Sequence, residues 1–182
     1  MPQAAERKVI VITGPIASGK STIARELARE LGRAGIPVAV IDLDDVHDTL
    51  SRDGPETAEA SWALARREAA TLANTFLAEG TAVIVAEGSF NTPGDRAAFS
   101  QRLDAGVDPV YVTLRVSFEE ALRRAQGDST RGLSRDPAFL GRYFGGFGQA
   151  LPTPVTDFVI ETERTSPSSA ASAIARLVSP DS

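Results

Sequence analysis

Lys8-Val-Ile-Val-Ile-Thr-Gly14-Pro-Ile-Ala-Ser-Gly-Lys-Ser21 is the stretch that decides how this chain is read. Its first half is a nearly unbroken run of branched apolar residues. That predicts a strand buried on both faces, as in a parallel sheet. Its second half fits G-x-x-x-x-G-K-S/T at every fixed position, in the strand-to-helix context the motif requires. The helix is predicted over Ser21 to Arg33, with Ile23, Leu27, Ala28 and Leu31 on one face and Gly32 and Gly35 closing it.

The spacing has a physical reason. Gly14 and Gly19 let the backbone turn sharply and approach phosphates without a side-chain clash. The N–H groups of Pro15-Ile16-Ala17-Ser18 and onward, proline excepted, can then turn inward as an anion nest. The helix entered at Ser21 and Thr22 adds the positive end of its dipole. Lys20 brings a mobile charge for the β- and γ-phosphates, and the Ser21 hydroxyl is a hard oxygen ligand for Mg²⁺. The expected ligands are therefore ATP and Mg²⁺ on residues Gly14 to Thr22.

Outward from this loop, strands and helices alternate. Strands are expected at Val38–Ile41, Thr81–Ala86, Val110–Val116 and Asp157–Glu161. A long helix is expected from about Pro55 to Glu79, because Trp62, Ala65, Ala69, Leu72, Ala73 and Phe76 recur at helical spacing. Further helices are expected at Arg96–Leu103, after a Ser117 cap at Phe118–Ala125, at Pro137–Phe147 and at Ser168–Val178. The alternation implies an α/β fold with an open parallel sheet between two helical layers, joined by right-handed crossovers. No repeat or linker divides residues 1–182, so a single domain is expected.

Composition narrows the function classes. The chain has 182 residues, 42% of them hydrophobic, no cysteine and a net charge of −5. Disulfides and thiolate metal sites are excluded. The negative charge argues against a nucleic-acid partner. No apolar stretch is long enough for a bilayer, and MPQAAERKVIVITG lacks the features of a secretory signal, so no membrane partner and a cytoplasmic setting are expected. The basic residues comprise 17 Arg and only Lys8 and Lys20, and one of those two lysines falls in the loop.

Three further clusters bear on chemistry. Asp42, Asp44 and Asp45 follow the second strand, at the sheet edge where ligands bind in doubly wound folds. A carboxylate there can take a proton from an acceptor hydroxyl, or can serve as a helix cap. Asp44 is preferred as the base, since alternation puts Asp42 and Asp44 on one side with Asp44 nearer the tip. Glu87 ends the third strand and resembles the acidic residue of a Walker B strand, a candidate for the Mg²⁺ shell. The loop from Gly88 to Arg96 begins at the same edge and is a candidate acceptor contact. Arg123, Arg124, Arg131 and Arg135 lie on a polar lid at about 123–136, with Arg124 and Arg131 the leading pair for neutralising phosphate charge. His47 is a candidate acceptor contact or a helix-surface residue. Trp62 and the segment Tyr143-Phe-Gly-Gly-Phe147 read first as packing residues.

Together these features resemble the P-loop kinase group related to nucleoside monophosphate kinases. Small-molecule kinases such as chloramphenicol phosphotransferase, gluconate kinase and adenylylsulfate kinase are closer still. ITGPIASGKST is similar to their phosphate loop, IDLDDVH to the aspartate segment after their second strand, and RRAQGDSTRGLSRD to their lid. Thr153 to Thr162 is similar to their last strand and its preceding loop, near the adenine. The resemblance implies sheet order 2-3-1-4-5, Asp44 on the acceptor side, and transfer of the ATP γ-phosphate to a small-molecule hydroxyl by a monomer or homodimer. A nucleoside or nucleotide kinase, or a regulatory ATPase with no dedicated acceptor, remains open at this point. The chain departs from the group in lacking R-x-x-x-R-x-R in the lid. It also carries His47 where adenylylsulfate kinases usually have arginine, and no arginine set suited to an anionic nucleotide within 46–80.

Overall fold

The computed structural model describes residues 7–50, 57–150 and 157–178, the last four of the middle span as backbone only. Five strands form one parallel sheet: β1 (Lys8–Thr13), β2 (Val38–Asp42), β3 (Val83–Glu87), β4 (Pro109–Arg115) and β5 (Phe158–Glu161). Their order is β2-β3-β1-β4-β5, as the resemblance implied. The central strand β1 is almost wholly buried, which matches its apolar sequence.

Helices cover both faces. On one, α1 (Lys20–Arg33) buries Ile23, Ala24, Leu27 and Leu31 against Ile10, Ile12, Val112 and Leu114, beside α7 (Pro167–Ala175). On the other, α3 (Ala58–Ala78) and α4 (Pro93–Ser100) pack on Val9, Val11, Ile84 and Ala86. The short α2 (Leu43–Leu50) follows β2 directly. Helix α5 (Phe118–Gly127) and α6 (Pro137–Ala150) flank a tight helical turn at Leu133–Arg135. The lid expected at 123–136 therefore begins as the end of α5, and only the part after Gly127 leaves the helix.

Local signals explain the boundaries. Ser117 caps α5 by accepting from Glu120 N, and Ser166 caps α7 by accepting from Ser169 N. The expected helix at Arg96–Leu103 begins earlier, at Pro93. Thr92 and Asp95 form a reciprocal capping box there, with proline at the start. Helix α6 runs on past the expected Phe147 to Ala150. The stripe of α3 also differs from its expectation. Ala65, Ala69 and Ala73 are buried as expected, together with Ala70 and Leu77. Leu72 and Phe76 stay 40% and 38% exposed, because the sheet accepts the alanine seam at close range and leaves the bulky residues at its edge. The expected helix start near Pro55 and the segment 151–156 lie outside the described residues.

Candidate active site

The loop leaves β1 at Thr13 and enters α1 at Lys20. Gly14 has φ 154°, and a Cβ there would stand 2.7 Å from the Leu114 carbonyl oxygen and 2.9 Å from Ser18 Oγ. Only glycine fits that passage. Among the described residues Ala17 is the one non-glycine with positive φ, 62°. This left-handed residue inside the loop is the geometry of an anion nest. Gly19 caps α1 without a side chain, and no acidic residue occupies the first turn. The first N–H groups of α1 are thus available to an anion. Lys20 Nζ donates to the carbonyls of Gly14 at 3.1 Å and Pro15 at 3.2 Å. Burial lowers the pKa of its ammonium, while Glu87 and Asp44 act the other way.

The acidic corner caps a helix, one of the two roles the sequence left open, and also brings carboxyls to the cleft. Asp42 ends β2 and its Oδ1 accepts from Asp44 N at 2.9 Å, bracing the first turn of α2. Asp42 is also the register partner of Glu87, the last residue of β3, and the two side chains hydrogen-bond. The Ser21 hydroxyl donates to Glu87. Burial pushes Glu87 up to about 7 against that hydrogen bond, and the Asp42 charge adds to the rise. Asp44 opens to solvent at the cleft, yet its walls desolvate it enough to raise its pKa, with Asp42 adding to the effect and Lys20 opposing it. Asp45 was expected beside them. It lies exposed on α2, where its carbonyl accepts from Thr49 Oγ1 at 2.8 Å, and it does not line the cavity described below.

A cavity of about 230 Å³ joins the pieces. It is lined by the loop residues Ile16, Ala17, Gly19, Lys20, Ser21 and Thr22, by Asp44 of α2, by Glu87 of β3 and by Arg131 of the lid. Arg131 Nε is held by Asp128 Oδ2 at 3.2 Å. Arg124 does not line this cavity, though its Nη1 reaches the Ala17 carbonyl of the loop at 3.5 Å. Its Nη2 donates to Thr162 O at 2.8 Å and its Nε to Glu120 at 2.7 Å. It lines a second hollow of about 270 Å³, with Ser18, Gly19, Thr22, Thr162 and Thr165. Arg123 pairs with Glu120 at 2.6 Å at the surface.

The loop after β3 is wired from below. Gly88 has φ 148°, and a Cβ there would meet Leu43 Cβ at 2.5 Å, so glycine lets the start of α2 sit on the end of β3. Arg66 of α3 donates through Nε and Nη2 to Ser89 O at 3.0 and 2.7 Å, and its Nη1 pairs with Asp95 at 3.1 Å. Arg96 donates to Phe90 O at 3.1 Å and lies 4.6 Å over the Tyr111 ring. It was expected to face the acceptor; it is buried beneath the loop instead, because the capping box sets the phase of α4. Thr13 Oγ1 accepts from Phe90 N at 3.0 Å and donates to Asn91 Oδ1 at 2.9 Å. One residue before the phosphate loop thus holds the opposite wall.

That wall carries residues that sequence reasoning missed or set aside. The Tyr143 hydroxyl of α6 hydrogen-bonds the side chains of Ser89 and Asn91, and burial raises its pKa. His47 is neither an isolated surface residue nor a lone contact. It stacks on Trp62 with ring centroids 3.8 Å apart, and its Nε2 bonds Ser61 Oγ at 2.9 Å. Only the helical phase of α2, with His47 three residues beyond Asp44, carried a signal for this.

Residues 9–137 match the family described as AAA domain, and the chain belongs to it. It is similar to a shikimate kinase of Vibrio campbellii, 27% identical over 181 residues, covering 96% of this chain and 98% of that one. It is 36% identical over 107 residues to a probable adenylyl-sulfate kinase of Bacillus subtilis, covering 57% of this chain and 52% of that one. The fold matches the APS kinase of Mycobacterium tuberculosis, solved with AMPPNP and APS, at TM-score 0.67, 21% identity and coverage of 95% and 98%. The shikimate kinase of Acinetobacter baumannii, solved with shikimate, matches at TM-score 0.55, 22% identity and coverage of 96% and 94%. The chain is thus placed in the P-loop kinase group, with relatives that act on small molecules. Among the described residues no helix is long and apolar enough to cross a membrane.

Proposed function

We propose that this chain is an ATP-dependent phosphotransferase that moves the γ-phosphate of ATP to a hydroxyl of a small molecule. The observation that carries the reading is the 230 Å³ cavity, where the loop, α2, β3 and the lid converge on one space. A nucleotide-binding switch needs the loop; a transferase also needs an acidic group facing it. Asp44 supplies that group.

In this reading the loop N–H groups and Lys20 hold the phosphates, and Lys20 gives up its loop carbonyls to do so. Ser21 and Glu87, already hydrogen-bonded, fit Mg²⁺ as hard oxygen donors with Asp42 behind them. The ion would supply charge neutralisation between phosphate oxygens. Asp44 accepts the proton of the acceptor hydroxyl, its raised pKa bringing its basicity closer to that task. Arg131 neutralises charge on the transferring group. The hollow bordered by Arg124, Thr162 and Thr165 takes the adenine, with the guanidinium as one wall.

The test is incubation with Mg·ATP and a pooled metabolite and antibiotic library, read by mass spectrometry for phosphorylated products. ATP consumption at one rate with and without every acceptor pool would overturn the reading in favour of an ATPase.

A further inference from the structure

We propose that Asp128 is a positioning residue for Arg131: its carboxylate holds the guanidinium from behind at the phosphate cavity, so that the transferring group meets a cation already in place. The inference rests on the role given to Arg131 above and deepens it.

Asp128 is the first residue after α5 and collects the bonds of the turn that follows. Its Oδ1 accepts from Thr130 N at 3.0 Å and from Thr130 Oγ1 at 2.6 Å. Its backbone carbonyl accepts from Arg131 N at 3.2 Å. Its Oδ2 accepts from Arg131 Nε at 3.2 Å. One carboxylate oxygen is thus fixed by the turn, and the other faces the arginine. Thr130 sets the direction of the Asp128 side chain, and Asp128 sets the stem of Arg131.

This anchor is tied to the phosphate loop. Ala121 and Ala125 of α5 share one buried apolar cluster with Ala17 of the loop and Leu140 of α6. Asp128 N donates to Ala125 O at 3.4 Å. Arg124, one residue before Ala125, reaches the Ala17 carbonyl. The place of Asp128 is therefore set against the left-handed residue of the loop.

Electrostatics call for such a hold. Lys20 and Arg131 line the same cavity. Burial lowers the pKa of Lys20, and the charge of Arg131 adds to that. Two cations on one small space repel, and a long side chain gains entropy by swinging into water. Asp128 offsets the repulsion. It grips Nε, at the stem end of the guanidinium, and the Nη end is the part that reaches furthest. The pair is partly exposed, at 35% and 43% of the two side chains, and such pairs add little to stability. The consequence falls on the rate, because the arginine is ordered before the transition state forms instead of during it.

Asp128→Asn separates this hold from the turn. Asparagine keeps an oxygen for Thr130 and sets an amide donor against the Nε donor. Asp128→Asn, Arg131→Ala and the double variant are compared with the parent chain by steady-state consumption of Mg·ATP, with the metabolite and antibiotic pool present. Asp128→Asn is expected to lower kcat about tenfold and to leave KM for ATP within about a factor of two. In the Arg131→Ala background the same substitution is expected to change kcat by less than about twofold. Parent-like or faster turnover by Asp128→Asn overturns the inference. So does an equal loss in the Arg131→Ala background, which a merely structural turn would give. Parent consumption that no pool accelerates overturns the transferase reading alone, and the same comparison is then read on the pool-independent rate. A parent chain that consumes no Mg·ATP under either condition overturns both.

Discussion

Asp42 and Glu87 are register partners at the carboxyl ends of adjacent parallel strands, and their side chains share a hydrogen bond beside the Ser21 hydroxyl. Burial raises the pKa of Glu87, and the Asp42 carboxyl beside it adds to the rise. The ordinary value of Glu87 is 4.5 and its folded value is about 7. The folded chain therefore binds a proton that the unfolded chain releases between those values. The contribution to stability is fully present below about pH 4.5 and is lost as pH rises to about 7. Urea unfolding across that range is expected to show falling stability for the nucleotide-free protein, and Glu87→Gln is expected to flatten the slope. Mg·nucleotide binding is expected to release a proton, seen as a buffer-dependent heat in calorimetry.

Lys20 sits on the Gly14 and Pro15 carbonyls when no phosphate is bound. Lys20→Ala is expected to cut ATP turnover by about 100- to 1,000-fold, because the loop then loses its one mobile cation. The fold should persist, since the ammonium holds only loop carbonyls that can turn to water. Circular dichroism and the rate of ATP consumption check the two halves.

Asp44 is expected to matter for transfer and not for nucleotide binding. Asp44→Asn should leave the ATP dissociation constant within about a factor of two and lower transfer by about 100- to 10,000-fold. With Asp44 intact, the rate should rise as pH climbs through a value above the ordinary 3.8. Full transfer by the variant would remove Asp44 from its role.

Arg131 and Arg124 border different hollows, and their variants should separate kinetically. Arg131→Ala is expected to lower kcat about 100-fold with little change in KM for ATP. Arg124→Ala is expected to raise KM for ATP, because it removes a wall of the hollow and the bond to Thr162. Steady-state kinetics at saturating acceptor distinguishes the two patterns.

Gly88→Ala tests the seam between α2 and β3. The new methyl would meet Leu43 at 2.5 Å, at φ 148°. A loss of about 2–4 kcal/mol in unfolding free energy is expected from combined overpacking and backbone strain.

The architecture was legible because it is written in short-range patterns. The branched run at Lys8–Thr13, the glycines and lysine that follow it, and the periodic apolar residues of α1 are each readable within a few positions. Phase along α3 was less legible, since Leu72 and Phe76 share the helical spacing of the buried alanines and only the distance to the sheet separates them. Arg96 looked like an acceptor contact because sequence shows it near the sheet edge. Its burial follows from where Thr92 starts the helix.

What the sequence by itself determined was the phosphate loop, because Gly14, Gly19, Lys20 and Ser21 work through backbone geometry and local spacing. The same holds for the presence of acidic residues at the ends of β2 and β3. What only the tertiary structure decided was which of these groups meet. Asp42 pairs with Glu87 through strand register, Asp44 reaches the Lys20 cavity while Asp45 does not, and Arg131 parts from Arg124. Thr13, Arg66 and Tyr143 join the same wall from positions 13, 66 and 143, separations that no local pattern spans. The packing of α3, α4 and α6 around one loop brings them together.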